Sequence, residues 1–184
     1  MKMNLHYKHL GMYLLAGIAS GVLCHLIYDT DNVWQLYVGP PLVLGIVIFF
    51  SGRYISDIIP RNTWISPLAF VLSCTIGWIL AIEFGGEYYD ETDLWLIASG
   101  VIGGAGVAVG FVAAWRVQKI WVVSVMITAA GGLGGAVLIL LDIAGIHFVS
   151  LFVVWQSIVL LGVGFATQID SKQASQKKSK SLRC

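Results

Sequence analysis

Apolar residues along this 184-residue chain run in six long blocks: Leu10 to Tyr28, Trp34 to Ser51, Trp64 to Phe84, Leu94 to Trp115, Ile120 to Leu141 and Phe148 to Thr167. Polar residues collect in the short stretches between them. Crossing about 30 Å of hydrocarbon as an α-helix takes roughly 20 residues, and each block is about that long. The pattern predicts an all-α membrane protein, a bundle of six transmembrane helices within residues 1–170. The polar, basic, low-complexity segment 171–184 is expected to be unstructured. Loops this short predict antiparallel packing of consecutive helices and leave no room for a soluble domain.

Composition agrees with a bilayer as solvent: 58% of residues are hydrophobic, 11% are charged, and the mean hydropathy is +0.83. Charge then supplies an orientation, because Lys and Arg are retained on the cytoplasmic side. All eleven basic residues fall before block one (Lys2, Lys8), between two and three (Arg53, Arg61), between four and five (Arg116, Lys119) or after six. Eight of the ten acids (Asp29, Asp31, Glu83, Glu87, Asp90, Glu91, Asp93, Asp142) occupy the alternate loops, which hold no Lys or Arg. Both termini are therefore expected in the cytoplasm and the protein in the plasma membrane. The net charge of +1 conceals this polarity and points to a lipid rather than a nucleic-acid partner. Lys2 and Lys8 before an apolar run resemble a signal peptide, but "CHLIYDTD" offers no small-x-small cleavage site, so block one reads as a retained helix. Aromatics such as Trp34, Tyr37 and Trp95 mark the outer boundary, and Tyr13, Trp115 and Trp121 the inner one. Trp78 and Trp155 fall inside and are expected to fill space between helices.

Ala98 to Trp115 carries five glycines in eighteen residues. Gly104, Gly106 and Gly110 fit a loosened dinucleotide fingerprint, but that motif has meaning only between a strand and a helix, and here a phosphate would face hydrocarbon. At 100° per residue, Gly100, Gly103, Gly104, Gly106 and Gly110 lie within an arc of about 160°, a surface for close helix packing. Gly131 and Gly135 repeat the device in block five, and Gly17 and Gly21 in block one; blocks four and five are expected to pack on each other. The pentapeptide "IASGV" at Ile18–Val22 and Ile97–Val101 lies in blocks one and four, which cross in opposite directions, as a weak 3+3 inverted repeat would require.

The block centres contain no Asp, Glu, Lys or Arg. Ionisable groups cluster instead at the outer helix ends, where His25, Asp29, Glu83, Asp142 and His147 form a candidate vestibule. Pro40 and Pro41 remove backbone donors, so block two is expected to kink or restart there. With Ser73 and Gln156, Pro40 marks a candidate polar path, which requires a solvated cavity reaching inward from the acidic rim. Thr63 is the expected cap of block three.

Catalysis lacks its parts. Ser20 and Ser99 stand in "IASG", which resembles the G-x-S-G of intramembrane rhomboid proteases, but Ile18 or Ile97 replaces the first glycine and no histidine lies at that depth. No metal or cofactor is expected, since His25, Asp29 and His147 make at most a loose ligand set. Cys24, Cys74 and Cys184 lie at depths that preclude a disulfide framework. The reading that results is a permease, channel or transporter subunit for a small solute or ion. Its alternative is a non-enzymatic membrane partner protein, a complex subunit, assembly factor or immunity-type protein, binding through glycine-rich helix faces or the outer acidic loop; the partners expected are the lipid bilayer and a second copy of the chain, as a homo-oligomer, or another membrane protein.

Overall fold

The computed structural model describes residues 7–27, 32–55, 60–62, 65–88, 94–146 and 151–181. These form α1 (Tyr7–Ile27), α2 (Val33–Tyr37), α3 (Gly39–Ile55), α4 (Ile65–Tyr88), α5 (Trp95–Ala114), α6 (Ile120–Ile143) and α7 (Leu151–Ser181). Counting α2 and α3 as one, six helical segments are long and apolar enough to cross a membrane, and among the described residues there is no strand. The fold is the all-α six-helix bundle that the apolar blocks imply.

Helices pack in a closed ring: α1 against α3, α3 against α4, and so on through α5, α6 and α7, which returns to α1. Their outward faces are apolar. On α4, Leu68, Leu72, Ile76 and Leu80 form an exposed stripe at four-residue spacing, the inverse of a soluble amphipathic helix and the form expected of a lipid-facing one. The interior is filled by Tyr13, Ile48, Phe70, Phe111, Trp115, Trp155, Val159 and Val163. Tyr13 and Trp115, read from sequence as boundary aromatics, are fully buried. Trp115 stacks on Phe49 at 5.0 Å between centroids, and Gly52 makes room for it, since a Cβ there would lie 3.0 Å from the indole. Trp121 is exposed, as a boundary residue should be.

Glycine decides the tightest contacts. A Cβ on Gly106 would lie 2.6 Å from Cα of Gly77, closing α5 onto α4, and one on Gly104 would lie 3.1 Å from Cα of Gly131, closing α5 onto α6. Gly100 meets the carbonyl of Gly131, Gly110 meets Phe70, and Gly135 meets the carbonyl of Leu96. Gly17 and Gly21 seat α1 on Ser157 and Val153 of α7. The arc on α5 thus splits: Gly106 and Gly110 face α4, Gly103 faces inward onto Trp155, and Gly100 and Gly104 face α6. The copies of "IASGV" do unlike work. A two-fold relating the halves would carry the α1–α7 contact onto α5–α4, whereas Gly21 meets α7 and Gly100 meets α6.

The basic ends of the helices are tied together. Asp170 of α7 accepts the Gln118 and Lys119 N–H groups at 2.9 and 3.0 Å, capping α6, whose own cap residue Lys119 supplies no side-chain bond. Arg61 donates from its backbone N–H to Ala114 and from Nε to the Trp115 carbonyl. Thr63 lies outside the described residues; the capping bond at the start of α4 comes from Asn62, whose Oδ1 accepts the Ile65 N–H at 3.2 Å. At the far end, α7 continues through Ser181, past the point where composition predicts an unstructured tail. The segment has no Gly or Pro, and extending an existing helix avoids the cost of nucleation.

Candidate functional site

The helix that carries the proline pair breaks at Val38, between α2 and α3. Pro40 has no N–H to give the carbonyl of Leu36, its partner in an unbroken helix. Trp78 supplies the missing donor from α4: its Nε1 reaches that carbonyl at 2.9 Å. The backbone acceptor freed by Pro40 is therefore spent on positioning an indole ring in the bundle interior.

That indole meets α7 across the ring. Trp78 lies 5.5 Å from Phe152 and 6.4 Å from Trp155, centroid to centroid. Trp155 donates from Nε1 to the Gly131 carbonyl at 3.2 Å and sits between two glycines; a Cβ on Gly103 or Gly134 would come within 2.9 or 2.8 Å of its ring. Without those glycines the indole would not fit.

On the acidic side of this aromatic cluster is a cavity of about 560 Å³ between α4, α5, α6 and α7, within the range of small-molecule sites. Trp78, Trp95, Phe152 and Trp155 provide aromatic surface, Ala81, Ile82, Leu96, Leu138 and Leu151 aliphatic surface, and Ser99 a hydroxyl. Among the described residues, no Asp, Glu, Lys, Arg or His lines it. The Ser99 Oγ is buried with no hydrogen-bond partner.

On the other side of Trp78 and Trp155 lies a void of about 10 Å³ bounded by Pro40, Pro41, Cys74 and Gln156, at the lower limit for one water molecule. Pro40 and Gln156 thus come together as the polar path requires, but in a closed space with two indoles between it and the cavity. Ser73 is not among its walls; its hydroxyl donates to the Gly106 carbonyl at 2.8 Å. Gln156 is buried in the α1–α7 contact. Its Nε2 donates to Cys24 Sγ at 3.1 Å, and Cys24 in turn donates to the Pro40 carbonyl at 3.4 Å. Gln156 Oε1 and the hydroxyls of Ser20 and Ser157 are buried without partners.

The vestibule residues are spread over the acidic end. His25, Glu83 and Asp142 are exposed on α1, α4 and α6, which are separated in the ring by α3 and α5; Glu83 accepts from the Tyr37 hydroxyl at 2.8 Å. Asp29 and His147 lie outside the described residues. Among the described residues no group of three or more His, Cys, Asp and Glu could hold a metal ion.

Sequence reading identified Trp78 and Trp155 as interior space-fillers and Ser99 as a lone serine, but not the cavity they share. Its lining comes from four helices at positions with no common motif, so no local signal marks it. No protein-family model, no curated protein and no solved structure matches the chain.

Proposed function

We propose that this multi-pass membrane protein is a small permease or transporter subunit, without catalytic activity, that binds an apolar or amphiphilic solute in the cavity between α4, α5, α6 and α7. The observation that carries this reading is the cavity itself: about 560 Å³ walled by aromatic and aliphatic side chains, with no charged group among the described lining residues. An ion-conducting reading receives less support, since the space beside Pro40 and Gln156 is about 10 Å³. The partner-protein reading is weakened on one side, because the glycines that would present a docking face are packed against the chain's own helices. The charge partition favours an orientation with both termini cytoplasmic, and a plasma-membrane location is part of the same proposal.

The test is saturable binding of a neutral apolar fluorophore, N-phenyl-1-naphthylamine, to the purified protein, followed by its flux in proteoliposomes. Ala81 lines the cavity, and Ala81→Phe should abolish binding by filling it. Binding that does not saturate, together with stoichiometric copurification of another membrane protein, would replace the transporter reading by the partner reading. Reporter fusions at the C-terminus check the orientation.

A further inference from the structure

We infer that the solute of this cavity is a lipophilic organic cation, with an aromatic or alkyl body and one delocalised positive charge; this rests on the reading of the cavity as the ligand site. Three kinds of observation converge on that class.

The first is the wall. Three tryptophans and a phenylalanine contribute to it, and the face of an indole ring carries the negative part of the quadrupole that attracts cations. The indole donors of the two inner tryptophans are engaged elsewhere. The Trp78 N–H is held by the Leu36 carbonyl and the Trp155 N–H by the Gly131 carbonyl.

The second is the absence of a counter-ion among the described lining residues. A compact ammonium ion would lose its hydration there with nothing in exchange. A charge spread over a large apolar body is weakly hydrated to begin with and loses far less. The wall therefore selects delocalised cations over small ones.

The third is the rim. Asp142 lies one turn beyond the lining Leu138, on the same face of α6, and is exposed. The loops at this end of the bundle contain no Lys or Arg. A mouth of one sign raises the local concentration of cations and repels anions.

The experiment uses two ions of matched size and shape and opposite charge, tetraphenylphosphonium and tetraphenylborate. Each is titrated against the full-length protein in nanodiscs with empty nanodiscs subtracted, beside N-phenyl-1-naphthylamine. Saturable phosphonium binding is expected to be tighter than borate binding by about tenfold or more, and Asp142→Asn should narrow that ratio by about twofold. Ala81→Phe should remove phosphonium binding, with Leu138→Trp as a second cavity-filling variant should the first not fold. Equal binding of the two ions, or tighter borate binding, overturns the cation assignment while naphthylamine binding leaves the cavity reading standing. If none of the three probes saturates, the cavity reading itself is overturned, and the assignment with it.

Discussion

At the scale of single residues, the structure separates glycines that are needed from one that is not. A Cβ on Gly106 would lie 2.6 Å from Cα of Gly77, backbone that cannot yield without parting α4 and α5, whereas one on Gly11 would meet nothing within 4 Å. Gly106→Ala is therefore expected to cost about 1–3 kcal/mol as overpacking. Gly11→Ala should be neutral or stabilising by up to about 1 kcal/mol through helix propensity. Thermal unfolding in detergent compares the two directly. Gln156 is the opposite case, a buried polar group whose Oε1 has no partner and whose amide donates to a thiol. Replacing an unsatisfied polar group by an apolar one of similar shape is close to neutral or stabilising. Gln156→Met should leave the melting temperature unchanged or raise it; a large drop would mean that the amide holds something the protein needs. The need for a small residue at position 106 was legible in the glycine spacing. The identity of its partner, Gly77, was not, since an isolated glycine in a 21-residue apolar span carries no pattern.

At the scale of elements, the break between α2 and α3 was legible from Pro40 and Pro41, because a missing N–H is a local covalent fact. Its consequence was not: Trp78 donates to the freed Leu36 carbonyl from 42 residues away. The two are expected to be coupled energetically. Trp78→Phe alone should be destabilising, by about 1 kcal/mol for the lost hydrogen bond beyond its packing cost. In a Pro40→Ala background, where the substituted residue supplies its own N–H to the Leu36 carbonyl, the same change should cost less. A double-mutant cycle with an interaction energy near zero would sink this account. The cap of α6 has the same logic. Its own sequence offers Lys119, a poor cap, and the need is met by Asp170 from another helix.

At the scale of the whole molecule, the ring closes because α7 packs on both α1 and α6. Cys24 and Cys74 are enclosed by it, so they report on its integrity. In a Cys184→Ser background, maleimide should leave both unlabelled in nanodiscs and modify them when the bundle is unfolded in SDS. Fast labelling in the intact protein would show that the ring opens or is assembled otherwise. The lipophilic-cation assignment belongs to this scale too, since its wall is drawn from four helices.

Hydropathy and charge along the chain by themselves determined six spans, their alternation of direction and the polarity of the two faces. Each of these follows from what a short segment costs in hydrocarbon, a property that adds up locally. Tertiary structure alone decided how the glycine arc on α5 is divided among α4, α7 and α6. It also decided which atoms answer the carbonyl freed by Pro40 and that Trp78 and Trp155 stand between an apolar cavity and the small void beside Pro40 and Gln156. Those outcomes depend on which residues meet across the ring. In a membrane, where lipid is as apolar as the side chains themselves, helix partners are chosen by close packing and hydrogen-bond satisfaction, and neither is written in any one segment.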